Sequence, residues 1–280
     1  MKNLFKKLVL IVVAMTLGLG TMFGFTACGS DDTIVVYTEA GFAPFEYVSG
    51  KNIVGVDVDI MNLVGKKLGK EVKFENVSFD TIVDSVSQGK LCKVGAAGIS
   101  VTEERKEKVA FSDEYYTAKL YVIYRVADES KYVSKTTDNV DGVYWDSLAG
   151  KKIAVQGGTT ADLFLGDELA EGGILAGTTS EPTRFSSLAT ATADVKAENS
   201  DVLIIDELPA QKLVEKESSL KCAPLYYKGG EGEKDEAATD VYAICVTKGE
   251  DELLDAINEV LKELGKEGIE ELVQKHLGVK

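Results

Sequence analysis

Histidine, tryptophan and proline are scarce in this chain: one His, one Trp and four Pro in 280 residues. A single imidazole, His276, excludes His-based catalytic triads and zinc sites built from several histidines. Positive charge is also short, with 31 Lys and Arg against 46 Asp and Glu and a net charge of −15. Nucleic-acid binders hold phosphates with clustered Lys and Arg, so that class is excluded too. The four Cys show no CxxC or CxxH spacing, which removes the usual metal motifs. What remains, 45% hydrophobic and 28% charged residues, describes a soluble globular protein of one large domain or two ordinary ones.

The N-terminus is built for export. Lys2, Lys6 and Lys7 precede an apolar run from Leu8 through Ala14 that continues weakly to Phe25, and no acid occurs before Asp31. A basic start, an apolar core and small residues at the end make a secretory signal over residues 1–27. The run closes on Phe25-Thr26-Ala27-Cys28-Gly29-Ser30, similar to the lipobox of bacterial lipoproteins, in which the Cys thiol is lipidated. Cys28 is therefore the expected lipid-bearing residue and 28–32 a short tether. An uncleaved transmembrane anchor is the alternative, weakened by the Gly and Thr residues within the run. Either way the remaining chain lies outside the cytoplasm. From Cys28 onward it carries −18 over 253 residues, because the leader removes three Lys and no acid. Cys92, Cys222 and Cys245 remain; one pair forms a disulfide or all three stay thiols.

Strand and helix patterns then alternate. Thr33–Thr38 is a short β-branched run, and Asp57–Leu68 spaces Ile60, Leu63, Val64 and Leu68 as one helix face before Gly69. Glu71–Val77 reads as a strand, Phe79–Gln88 as a helix stopped by Gly89, and Val94–Ile99 as a buried strand. Lys119–Val126, Lys152–Gln156, Asp201–Asp206 and Val241–Thr247 are further strands, with a helix over Ser186–Asn199. Two helices, Asp251–Leu264 and Gly268–Leu277, close the chain. Strands separated by helices imply βαβ units in mostly parallel sheets, and the repeated order implies two similar lobes. Asp128–Leu148 and Gly229–Ala237 are the linker candidates.

Three strand ends carry chemistry. In open α/β sheets, ligands sit at the carboxyl ends of strands, close to helix N-termini that attract anions. After Ala96-Ala97, Gly98 permits close backbone approach, Ser100 offers a hydroxyl, and Arg105 offers a planar fork suited to a carboxylate. Gln156-Gly157-Gly158-Thr159-Thr160 precedes a helix and forms a second anion cradle. Asp206 ends a buried strand and suits a cation. Each has a plainer explanation: Arg105 on a solvated, Glu-rich helix face, Gly-Gly-Thr-Thr as an ordinary turn, and Asp206 as an N-cap. Together they fit a zwitterion.

Five motifs carry a resemblance to a known family. They are Gly41-Phe42-Ala43-Pro44-Phe45-Glu46-Tyr47, Val54-Gly55-Val56-Asp57-Val58-Asp59-Ile60, Ala97-Gly98-Ile99-Ser100-Val101-Thr102-Glu103-Glu104-Arg105-Lys106, Val109-Ala110-Phe111-Ser112-Asp113 and Val155-Gln156-Gly157-Gly158-Thr159-Thr160. In order and spacing they resemble the bacterial extracellular solute-binding proteins for polar amino acids, the capturing subunits of ATP-driven importers, from Thr33 to Gly278. The resemblance implies an α/β fold of the two-lobed periplasmic-binding-protein type II kind, each lobe a mostly parallel sheet flanked by helices. It implies two hinge crossings near Tyr124 and Leu225, with lobe 1 from 33–123 and 226–280 and lobe 2 from 124–225. It also implies that Arg105 takes the ligand α-carboxylate, helped by Ser100 and by backbone N–H groups around Ser100 and Thr160, and that Thr159 belongs to the ligand-binding set. Asp206 and the Gly98 carbonyl would take the α-ammonium, Phe42 and Phe79 would sandwich the ligand side chain, and Glu39 and Gln156 would read its polar end.

The resemblance further implies a lipid-anchored monomer that binds a free amino acid and importer membrane subunits, with no cofactor, metal, nucleic acid or catalysis. Glu39 disfavours an anionic ligand and admits a cationic or amide one. Lys93, Glu114 and His276 depart from the family pattern outside the proposed site. A dehydratase-like enzyme with Glu39 as general acid, or a ligand-sensing receptor subunit, are the other readings of such a scaffold.

Overall fold

The computed structural model describes residues 32–278. The leader over 1–27, the lipidation site Cys28 and the tether as far as Asp31 lie outside the described residues.

Two sheets dominate. In the first, the strands run in the order Glu71–Asn76, Thr33–Thr38, Val94–Gly95, Cys245–Val246, Ala110–Phe111. The first three are parallel, and Cys245–Val246 enters antiparallel between its neighbours. The second sheet runs Glu181–Phe185, Lys152–Gln156, Val202–Asp206, Tyr116–Arg125, Leu220–Tyr227, Asp141–Tyr144, Val133–Lys135. Lys152–Gln156 is parallel to both its neighbours, whereas Tyr116–Arg125 is antiparallel to the strands on either side. This sheet is therefore mixed rather than mostly parallel.

The parallel pairings place the site. Strands that run together end together, so Thr33–Thr38, Glu71–Asn76 and Val94–Gly95 deliver the segments after Thr38, Asn76 and Gly95 to one edge. Lys152–Gln156 and Val202–Asp206 do the same for Gln156 and Asp206 in the other lobe.

The chain crosses between lobes in two paired strands. Tyr116–Lys119 pairs with Thr239–Tyr242, while Leu120–Arg125 is already in register with the second sheet. The crossings thus fall around Lys119 and Thr239, not near Tyr124 and Leu225. Tyr124 pairs with Val202 and Lys221, and Leu225 pairs with Val143, both within the second sheet.

Packing explains the elements. The helix Val56–Leu68 buries Val56, Ile60, Met61 and Val64 completely, and Gly69 ends it in the left-handed region at φ 67°. Gly55 before it sits at φ 146°, where an added Cβ would lie 1.9 Å from the Phe45 carbonyl oxygen, so only glycine fits. The closing helix Asp251–Leu277 is broken at Gly265 (φ 58°, ψ −175°), in keeping with two expected helices.

Asp128–Leu148 is not a linker. It folds into a short helix, two strands and a 3-10 turn, with Tyr132, Trp145 and Leu148 buried in the core of the second lobe. Its polar average hid three large apolar anchors. All three described cysteines, Cys92, Cys222 and Cys245, are free thiols.

Candidate ligand-binding site

The strand ends of both lobes meet around a small, narrow hollow, walled by Glu39, Phe42, Glu46, Phe79, Ala97, Gly98, Ser100, Gln156, Thr159, Thr160 and Asp206. Nine of the ten residues expected from sequence are in this wall. The tenth, Arg105, lies behind Phe79, with its guanidinium carbon 5.7 Å from the ring centroid.

From the first lobe, the turn after Thr33–Thr38 supplies Glu39 and Phe42. Gly41 is small for a local reason: a Cβ there would stand 3.0 Å from Glu39 Oε1. Burial raises the Glu39 pKa, opposed by hydrogen bonding from Gln156 and the Gly41 N–H. Phe42 is buried against Gly98, which adopts φ 52°; an added Cβ would come within 2.8 Å of the Phe42 ring. The Gly98 N–H donates to Asp57 Oδ2 at 2.9 Å, and Tyr115 donates to Asp57 Oδ1 at 2.6 Å. Burial lifts the Asp57 carboxyl to about 6. This buried acid ties the helix Val56–Leu68 to the Gly98 loop and explains the Val-Asp pair in the second motif.

Arg105 does not lie on a solvated face. Its residue is 7% exposed, although its helix neighbours Glu103, Glu104 and Glu107 point to water. It donates to the Ser100 carbonyl at 2.5 Å and, across the lobes, to the Gly158 carbonyl at 2.8 Å. Burial lowers its pKa, and surrounding thiol and carboxylate groups oppose that shift. A guanidinium has five donors, so its fork is held in place with N–H groups to spare.

In the second lobe, Thr159 caps the helix Thr160–Leu169, accepting from the Asp162 N–H at 3.4 Å while donating to the Gln156 carbonyl at 2.8 Å. Its hydroxyl is occupied by local structure. Asp206 stands at the N-cap position of the helix Glu207–Glu215 but makes no capping hydrogen bond. Its residue is 5% exposed and its Oδ1 is buried without a partner. Burial first, and the charge of Asp240 second, push its pKa well up.

Two acids had no expected role. Glu46, in the strand Glu46–Ser49, is fully buried, and neither carboxylate oxygen has a hydrogen-bond partner of acceptable geometry. Burial raises its pKa far above the usual range, and the charges of Asp57, Glu39 and Asp206 add to this. Asp240, on the crossing strand, accepts hydroxyl hydrogen bonds from Ser100 at 2.6 Å and from Thr160. Glu46 lies inside a motif quoted above, and an acid directly after the buried Phe45 was its only signal. Asp240 had none, because a charge beside Thr239 reads as surface.

His276, the lone imidazole, is structural. It contacts the Tyr47 hydroxyl at 3.2 Å and Asp59 Oδ2 at 2.9 Å, pinning the last helix to the first lobe. Among the described residues no group of His, Cys, Asp and Glu is arranged to hold a metal ion.

Two lobes of α/β structure with a charged hollow at the strand ends define a solute-capturing protein, and the chain belongs to the bacterial extracellular solute-binding proteins, family 3, whose pattern it matches over residues 34–279. Among known proteins, it is 29% identical to the arginine-binding extracellular protein ArtP of Bacillus subtilis over 279 residues, covering 96% of this chain and 97% of that one. The crystal structure of the amino acid ABC transporter substrate-binding protein AbpA from Streptococcus pneumoniae, bound to L-arginine, superposes with a TM-score of 0.75 at 26% identity, covering 89% of this chain and 96% of that one. A mutant of ArgBP from T. maritima gives a TM-score of 0.71 at 31% identity, covering 88% and 96%.

Proposed function

We propose that the protein captures a cationic α-amino acid, arginine foremost, outside the cell and delivers it to an ATP-driven importer, held at the membrane through a lipid on Cys28. One observation carries the ligand class. Three carboxyl groups, Glu39, Glu46 and Asp206, line the hollow and a fourth, Asp240, backs it through Ser100 and Thr160, against the single guanidinium of Arg105; Glu46, Asp206 and Asp240 leave buried oxygens without donors. Buried polar groups are almost always paired, so such a surplus calls for a ligand that brings positive charge and N–H donors. An amino acid with a cationic side chain brings two cations and one carboxylate.

In this reading Arg105 and the N-terminus of the helix Thr160–Leu169 receive the α-carboxylate. Asp206 and the Gly98 carbonyl receive the α-ammonium. Phe42 and Phe79 flank the side chain, and Glu39 with Gln156, joined by Glu46, meets its charged end. The names of ArtP and of the arginine-bound AbpA support the same ligand. We read the protein as a binder without catalysis: the residues lining the hollow include no His or Cys, and the relatives reported above are named as binding proteins.

The test is a thermal-shift screen of the chain from Cys28, unfolded and refolded to strip bound solute, against all amino acids. L-Arginine, L-lysine or L-ornithine raises the melting temperature, with about 2.7 kcal/mol of stabilisation at a hundredfold excess over Kd. A shift produced only by acidic or apolar amino acids overturns the assignment. Labelling with a fatty acid that is lost in Cys28→Ala checks the anchor.

A further inference from the structure

The strand Thr239–Tyr242 is one of the two crossings between lobes, and Asp240 pairs there with Ala118 of the other. Its carboxylate is anchored asymmetrically. Oδ2 accepts from the Ser100 hydroxyl of the first lobe at 2.6 Å and from the Thr160 hydroxyl of the second, the two hydroxyls lying 3.1 Å apart. Oδ1 is sealed from solvent and receives no hydrogen bond. Asp206 Oδ1 is in the same condition, and the charge of Asp240 is the main electrostatic influence on Asp206. The Tyr242 hydroxyl is close enough to Asp206 to lower its pKa, although it falls short of good hydrogen-bond geometry. Arg105 is close enough to both acids to feel their charge, but its hydrogen bonds go to the carbonyls of Ser100 and Gly158.

Two buried carboxylate oxygens without hydrogen-bond donors, on acids near enough to feel each other's charge, are unfavourable unless a compact cation with several N–H donors joins them. An α-ammonium has that shape and charge. We propose that Asp240 is a second carboxylate for the ligand α-ammonium, acting with Asp206, so that the crossing strand itself takes part in recognition. The inference rests on the amino-acid reading above. It also reassigns two hydroxyls: Ser100 and Thr160 position Asp240 instead of reading the α-carboxylate with their side chains. One ammonium then contacts the second lobe and the crossing strand together, and through Ser100 it is coupled to the first lobe. That arrangement makes its arrival favour closure.

The experiment compares L-arginine with 5-guanidinopentanoate, its counterpart lacking the α-amino group, by calorimetry on wild type, Asp240→Asn and Asp206→Asn. Each substitution is expected to weaken L-arginine by about 30-fold or more, the loss typical of removing one side of a buried charge pair. Against 5-guanidinopentanoate, Asp240→Asn is expected to bind as well as wild type or better. Equal losses with both ligands, or L-arginine binding within threefold of wild type, overturn the role of Asp240. Should Asp240→Asn fold poorly, Ser100→Ala removes only the anchor and is expected to give a smaller loss, again confined to L-arginine. Wild type that ignores all cationic amino acids refutes the ligand class alone. The same with-and-without-amino comparison then proceeds on whichever amino acid the thermal screen returns.

Discussion

Glu46→Gln separates ligand recognition from folding in one substitution. In the fold Glu46 is fully buried with neither oxygen hydrogen-bonded, and burial together with Asp57, Glu39 and Asp206 drives its pKa up. Gln has the same size and no charge to desolvate, so the empty protein should melt at the same temperature or higher. Binding should move the other way. A guanidinium about 4 Å from an ionised Glu46 gains about 4 kcal/mol at an effective dielectric constant of about 20. Deprotonating Glu46 takes back part of that gain, and losses on breaking buried charge pairs run about 2–5 kcal/mol. A loss of about 2–4 kcal/mol follows, or about 30- to 700-fold in Kd. The assay is calorimetry at pH 7.5 with L-arginine and with L-citrulline, its uncharged near-isostere. Wild type should prefer arginine strongly, and Glu46→Gln should lose most of that preference. Unchanged discrimination, or a melting temperature several degrees lower without ligand, would refute the reasoning that Glu46 is held buried for a cation.

Gly98→Ala places a Cβ at φ 52° and within 2.8 Å of the Phe42 ring. It should lower stability by about 1–2 kcal/mol and push the ring into the hollow, with at least a tenfold loss of affinity; an unchanged melting curve and Kd would contradict it. The pH dependence has a definite sign. Glu39, Glu46, Asp206 and Asp240 all have raised pKa values, chiefly through burial, so lowering the pH protonates the groups that a cation needs ionised. The thermal shift given by L-arginine should shrink between pH 8 and pH 5. Without ligand, Asp57 acts oppositely: titrating at about 6 in the fold against 3.8 otherwise, it contributes stability below 3.8 that is lost as the pH rises through about 6. Melting temperatures from pH 4 to 8, with and without ligand, test both trends.

Local pattern made much of this protein legible. Apolar spacing located the helix Val56–Leu68, and glycine at Gly69 and Gly89 marked where helices stop, because each adopts a left-handed conformation that other residues resist. The strand ends rich in glycine, hydroxyls and charge identified the hollow, since βαβ connectivity brings such ends to one edge. It failed where long-range packing overrode composition. Asp128–Leu148 looked polar on average, but three large side chains drew it into the second lobe.

The sequence by itself determined the residue types at the site: one Arg among many acids, no His, and Gly98 and Gly158 where backbone must pass close. Only the tertiary structure decided which charges are buried. Arg105 and Glu104 are adjacent in sequence, yet one is sealed against Gly158 of the other lobe and the other faces water. Asp240 stands 140 positions from Ser100, and only the pairing of the crossing strands brings them to 2.6 Å. Burial is a sum over neighbours distant in the chain, and a charge acquires its meaning from the solvent those neighbours exclude.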